Sequence, residues 1–173
     1  MSAIGAAILM IPAICLFMAA VMDLFTMTIP NRLSLFLLAS FAVLAPVSGL
    51  PWAEISMSFA AGAVVLAVCF GFFALNIMGG GDVKLLAASA VWFGFSAALG
   101  AFIVQTALWG GLVTLLVALI RSQADRFAVI GIVVPAPILA TKKVPYGVAI
   151  GIAGIMTFWS SPIASSAMTL LQK

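Results

Sequence analysis

Histidine is absent from this 173-residue chain, and charged residues make up only 6% of it. The lack of histidine excludes Ser–His and Cys–His nucleophilic pairs and HExxH zinc sites. Cys15 and Cys69 lie singly in apolar runs, which favours core packing over a zinc or redox site. Any catalysis must therefore come from carboxylates, Lys84 or hydroxyl groups.

The scarcity of charge also argues against a water-soluble globule. Soluble domains contain about 25% charged residues, whereas 66% of this chain is hydrophobic. Too few polar side chains are present to cover a folded domain of this size in water. The apolar runs are continuous rather than alternating, which favours helices over an outer-membrane barrel. The sequence predicts an all-α, polytopic membrane protein that forms one domain over residues 1–173 within the lipid bilayer.

The lengths of the apolar runs predict about six transmembrane helices, because one helix crosses a bilayer with ~20 residues. Between Val83 and Ile120 the only charge is Lys84, so that run holds two helices, with a turn near Phe95–Gly100. The apolar segment Phe127–Ala140 is too short to span and contains two prolines, so we expect an interfacial or re-entrant piece. The six predicted helices cover residues 3–22, 32–49, 55–77, 83–99, 101–120 and 145–168.

The basic residues predict the orientation in the membrane. The net charge is +3, but the seven basic residues are scattered over loops, which indicates membrane orientation rather than nucleic-acid binding. The positive-inside rule places the loops between predicted helices 1 and 2, 3 and 4, and 5 and 6 in the cytoplasm, and both termini outside. These loops hold Arg32, Lys84, Arg121, Arg126, Lys142 and Lys143.

Two aspartates lie at helix ends on this cytoplasmic side. Asp23 ends the first predicted helix and Asp82 begins the fourth. Ionisable groups at this depth are costly and usually functional, although each could also be a solvated helix-end charge. If they meet, the pair can activate a water and protonate a leaving group. Helix dipoles favour an anion at Asp82 and disfavour one at Asp23, so the shared proton is expected on Asp23.

Three glycines, Gly79, Gly80 and Gly81, run directly into Asp82. They allow a sharp turn and a close approach of another chain, and their backbone groups could pair with an extended substrate. A plain flexible loop is the alternative. Lys84 lies two residues beyond Asp82 and points to a different side of the helix, so we expect a snorkelling, orienting charge.

Two proline-containing segments precede predicted helices. Pro30 is expected to fix the turn before the second helix and Asn31 to cap that helix. Pro145, Tyr146 and Gly147 stand at the entry to the last helix. Tyr146 is the single tyrosine, and it serves either as an interfacial anchor or as a side chain beside the two aspartates.

Taken together, these motifs resemble those of a known family. Gly79-Gly80-Gly81-Asp82 resembles the G-x-G-D motif of polytopic aspartic proteases. With Asp23, the Ile29-Pro30-Asn31 segment and VPYGVAI near the end, the chain resembles type IV prepilin peptidases. Its short form is similar to the TadV/CpaA branch, which serves Flp-type pili. The similarity extends from Asp23 to about Ile150.

The resemblance implies an aspartic endopeptidase of the bacterial inner membrane that cuts the short basic leader from a prepilin at the cytoplasmic face. Asp23 and Asp82 match the catalytic aspartates, and the resemblance implies no metal ion or organic cofactor. Larger prepilin peptidases carry paired cysteines in a cytosolic insert after the first span and also N-methylate the new terminus. The short first loop here has no cysteine, so we expect cleavage without methylation. The residues expected to bind substrate or shape the site are Gly79, Gly80, Gly81, Lys84, Pro30, Asn31, Pro145, Tyr146 and Gly147.

Two other classes of protein remain as alternatives. A small transporter or proton-conducting protein could also use paired carboxylates. However, no acidic or histidine relay continues towards the outer face. A structural subunit of a secretion or pilus machine would leave the glycine–aspartate junction without a purpose. The sequence leaves open the oligomeric state and the identity of the prepilin.

Overall fold

A computed structural model describes residues 3–124, 126, 136–141 and 143–172. Its described residues confirm the all-helical prediction, and none of them lies in a strand. The helices are α1 (Ala3–Thr26), α2 (Asn31–Val47), α3 (Trp52–Ala74), α4 (Gly80–Phe93), α5 (Ala97–Ser122), α6 (Ala136–Ala140), α7 (Tyr146–Phe158) and α8 (Pro162–Gln172).

The helix lengths support fewer membrane spans than the sequence predicts. Helices α1, α3 and α5 are long and apolar enough to cross a membrane, and α7 with α8 would add a fourth span if this pair, bent by 50°, crosses as one. Helix α2 is apolar but shorter, and α4 has only 14 residues. Three or four candidate spans in the described chain indicate a multi-pass membrane protein, but they do not establish six.

The turn expected near Phe95–Gly100 lies at residues 94–96. Gly94 adopts a φ of +56°, a left-handed conformation that disfavours any residue with a side chain. Ser96 then begins α5, because its Oγ accepts a hydrogen bond from the backbone N–H of Leu99 at 3.4 Å.

The prediction of one continuous helix over residues 145–168 is wrong, because the chain bends between α7 and α8. Pro162 has no backbone N–H, so it is tolerated at the first position of α8 but would disrupt a helix interior. The Oγ of Ser161 accepts a hydrogen bond from the backbone N–H of Ala164 at 3.3 Å and caps the new helix.

Helix α4 forms the centre of the molecule. It packs against α2, α3 and α7, and every residue from Leu85 to Phe93 is buried. The indole N–H of Trp92 donates to the carbonyl of Leu37 at 3.0 Å, and the Phe93 ring stacks on Phe102 with centroids 4.6 Å apart. Helix α7 packs between α1 and α5. The first turns of α4 and α7 are thereby held beside the end of α1.

Candidate active site

Asp23 lies in the last turn of α1 and is only 5% exposed. The backbone N–H of Gly147, the second residue of α7, donates to Asp23 Oδ2 at 2.6 Å. The first N–H groups of a helix have no partner within that helix, which leaves this one available to a carboxylate. The structure therefore joins the beginning of the last predicted helix to the first aspartate.

Gly147 approaches Asp23 so closely that a side chain would not fit. A Cβ at this position would stand 2.9 Å from both Cβ and Oδ2 of Asp23 and 2.8 Å from Cδ1 of Ile29. Carbon atoms in normal contact are about 3.5–4.0 Å apart. Glycine is therefore required here by the space beside the carboxylate.

Asp82 lies in the first turn of α4, three residues after the N-cap residue Gly79. A backbone hydrogen bond from Gly79 reaches the Asp82 carboxyl group. This contact corresponds to one arm of a capping box, in which the third helical side chain reaches back to the N-cap N–H. A Cβ on Gly79 would stand 2.7 Å from Asp82 Oδ2, so a side chain at the first glycine of the G-x-G-D motif would displace the carboxyl group from its present position.

The other two glycines of the run have different surroundings. A Cβ on Gly81 would stand 3.2 Å from Cβ of Ile29, in the loop between α1 and α2. A Cβ on Gly80 would meet only the ring of Phe73, at 3.3 Å. The two glycines that the motif specifies thus lie against the aspartate and the loop, whereas the middle one faces a side chain of α3.

The two aspartates interact electrostatically. Helix α4 is not among the candidate spans, and burial, followed by the charge of Asp23, raises the pKa of Asp82 to about 7. In the other direction, the Gly79 hydrogen bond and the positive charge of Lys143 lower the pKa of Asp82. Burial and the charge of Asp23 thus act on Asp82 in the direction opposite to the helix dipole, which favours an anion at this helix start.

Lys84 and Asn31 form a pair that the sequence did not predict. Nζ of Lys84 donates to Oδ1 of Asn31 at 3.0 Å. The prediction that Asn31 caps α2 is wrong, because Pro30 occupies the N-cap position and no side chain caps the helix. Pro30 does hold the expected extended turn, with a φ of −64°. The exposed Lys84 side chain thus joins the first turns of α2 and α4.

Tyr146 packs against α5. A Cβ on Gly110 of α5 would overlap the Tyr146 ring, so this ring lies directly on the helix backbone. Pro145, immediately before it, is buried. Among the described residues, the Tyr146 hydroxyl makes no hydrogen bond to Asp23 or Asp82. The contacts favour a packing role that seats the start of α7 beside Gly147.

Arg121 and Lys143 contribute to the site, although the sequence analysis assigned them only to membrane orientation. Arg121 Nε donates to the carbonyl of Ile138 at 2.7 Å, and Nη2 donates to that of Lys143 at 2.5 Å. The guanidinium at the end of α5 thereby holds the chain that leads into α7. The position of Lys143 just before Pro145 was a usable signal, whereas nothing in the sequence marked Arg121 beyond its charge.

Much of the predicted interfacial segment Phe127–Ala140 lies outside the described residues, as does Lys142. Its described part is the five-residue helix α6, Ala136–Ala140. The carbonyl of Ile138 within α6 accepts the Arg121 hydrogen bond. This end of the segment is therefore attached to α5.

Comparison with known proteins adds one finding. The chain matches the model of the type IV leader peptidase family over residues 10–119, which is more than half of its length. The matched region contains Asp23, Asp82 and the glycine run, and it ends before Pro145–Gly147. Neither a curated protein nor a solved structure matches the chain.

Proposed function

The chain belongs to the type IV leader peptidase family, and we propose that it is an aspartic endopeptidase whose catalytic pair is Asp23 and Asp82. The observation that carries this proposal is that the two carboxyl groups come from separate helices and lie near enough for the charge of Asp23 to raise the pKa of Asp82. Asp23 accepts a hydrogen bond from Gly147, and burial together with the charge of Asp23 raises the pKa of Asp82 to about 7. A pair in complementary protonation states is suited to acid–base hydrolysis.

The geometry suggests a role for each carboxyl group. The backbone N–H of Gly147 donates a hydrogen bond to Oδ2 of Asp23, which leaves Oδ1 to take a proton from a water molecule. The water oxygen then attacks the scissile carbonyl carbon while Asp82 gives its proton to the carbonyl oxygen. When the C–N bond breaks, the proton on Asp23 passes to the leaving amine and the hydroxyl proton of the intermediate returns to Asp82. Both carboxyl groups end in their starting states.

The proposed substrate is the short basic leader of an Flp-type prepilin, cut at the cytoplasmic face of the bacterial inner membrane. The placement rests on the basic residues of the loops, which the positive-inside rule assigns to the cytoplasm. Residues 27–30 alone separate α1 from α2. Because so short a connection holds no cysteine-bearing insert, the proposed reaction is cleavage without N-methylation.

Co-expression with an epitope-tagged Flp-type prepilin tests the proposal. Leader removal is followed as a shift in gel mobility and located by N-terminal sequencing of the product. Asp23→Asn and Asp82→Asn should each abolish processing while the protein stays folded in the membrane. Glu54→Gln, at an exposed acid in the first turn of α3, is the matched control and should cleave normally.

The outcomes separate the three classes of protein. Normal cleavage by either aspartate variant would rule out the paired mechanism. Altered ion or solute flux without a processed product would indicate a transporter. Pilus assembly that is unchanged in both variants, again without a processed product, would indicate a structural subunit.

A further inference from the structure

The side chain of Ile29 contacts the first turn of α4, which carries Asp82, and the first turn of α7, which binds Asp23. Its Cβ lies 3.2 Å from where a Cβ on Gly81 would stand, next to Asp82 in the chain. Its Cδ1 lies 2.8 Å from where a Cβ on Gly147 would stand, the residue bonded to Asp23. Two glycines therefore present bare backbone to opposite ends of one side chain. Ile29 fills the space between the first turns of α4 and α7.

The loop that carries Ile29 is held in place on both sides. Before it, Met27 adopts a left-handed φ of +52°, which is uncommon for a residue other than glycine. Such a conformation persists only where surrounding contacts enforce it, and the hydroxyls of Thr26 and Thr28 lie 2.8 Å apart across this turn. After it, Asn31 binds Lys84 of α4.

We propose that Ile29 is a positioning residue, a spacer that sets the separation between the first turn of α4, which carries Asp82, and the first turn of α7, whose Gly147 holds Asp23. Protein interiors are close-packed, so trimming the side chain between two backbones lets both of them move. A catalytic pair must hold one water molecule between its carboxyl groups, and misplacement by about 1 Å lowers rates by roughly 100-fold. The inference rests on the proposed function, since the separation matters only if the two aspartates act together.

The chemistry of isoleucine allows one of the two contacts to be removed alone. Ile29→Val deletes Cδ1, which faces Gly147, and keeps Cβ, which faces Gly81. Ile155→Val is the matched control, because it deletes the same methyl group from another partly buried isoleucine that packs on the core. With the Flp-type prepilin as probe, Ile29→Val should lower kcat by about 10-fold and leave KM unchanged, because the lost contact lies within the enzyme. Ile155→Val should keep the wild-type kcat.

A second-site variant tests the contact itself. Gly147→Ala places a methyl group 2.8 Å from Cδ1 of Ile29 and 2.9 Å from Cβ of Asp23, so the single change should slow cleavage by roughly 100-fold. Adding Ile29→Val to Gly147→Ala removes the first clash and leaves the second, so the double variant should regain part of the lost rate. A double variant as slow as the product of the two single effects would overturn the spacer role, because independent sites combine in that way.

The amount of folded protein separates positioning from simple packing. Each variant is quantified in membranes and by thermal unfolding in detergent. A loss of folded Ile29→Val that equals its loss of cleavage would overturn the inference, as would a wild-type rate in that variant. If the wild-type protein cleaves no prepilin, the proposed function fails first. If the wild-type protein cleaves the prepilin and Ile29→Val cleaves it at the same rate, the spacer role is refuted and the proposed function stands.

Discussion

Replacing Gly147 with alanine tests the geometry around Asp23 most directly. In an ordinary helix this change stabilises by about 1 kcal/mol. Here the new methyl carbon would stand 2.9 Å from Cβ of Asp23. The aspartate must retreat by about 0.6 Å or more to reach normal carbon–carbon contact. A shift approaching 1 Å lowers the rate by roughly 100-fold, equivalent to about 2.7 kcal/mol of transition-state stabilisation.

The assay is the initial rate of leader removal in detergent, at equal amounts of folded enzyme. Gly111→Ala is the control, because a Cβ on this glycine of α5 would meet no atom within 4 Å. It should retain the wild-type rate. Overpacking also destabilises by roughly 1–3 kcal/mol, so Gly147→Ala should unfold at a lower temperature. A Gly147→Ala enzyme that cleaves within threefold of wild type would refute the steric reasoning.

Four further predictions concern the surroundings of the site. If Asp82 donates a proton in the reaction, kcat/KM should fall as pH rises through its pKa of about 7. A flat profile from pH 6 to 8 would contradict the role of Asp82 as the acid. In the folded state Asp82 keeps its proton up to a pH near 7, whereas in the unfolded state it loses the proton at its ordinary, lower pKa. Stability should therefore fall as pH rises towards 7, and Asp82→Asn should abolish that slope in thermal unfolding. Arg121→Met leaves two carbonyls without their charged donor, so it should destabilise the folded protein by about 1–3 kcal/mol and slow cleavage. Arg126→Met, at an exposed position, is the control and should have neither effect. Lys84→Met and Asn31→Ala should each slow cleavage a few-fold, which corresponds roughly to the free energy of one hydrogen bond. Because both changes remove the same hydrogen bond, the double variant should be no slower than either single variant.

The sequence by itself determined the properties that depend on local composition. The scarcity of charge and the long apolar runs require helices in a bilayer, because only internally bonded backbone is stable there. The Gly79-Gly80-Gly81-Asp82 run and the isolated Asp23 stood out because ionisable groups are costly in such surroundings. The length of the apolar run from Val83 to Ile120 placed the turn before α5 nearly correctly, since one bilayer-spanning helix needs only about half of that run.

Only the tertiary structure decided how the site is assembled. Three contacts depend on how α1, α4 and α7 pack. Gly147 binds Asp23, Asn31 binds Lys84 rather than capping α2, and Ile29 lies between two glycines. The raised pKa of Asp82 depends on the same packing. A helix dipole is a local property that the sequence displays, whereas burial and a carboxylate from a distant helix act through space and outweigh it.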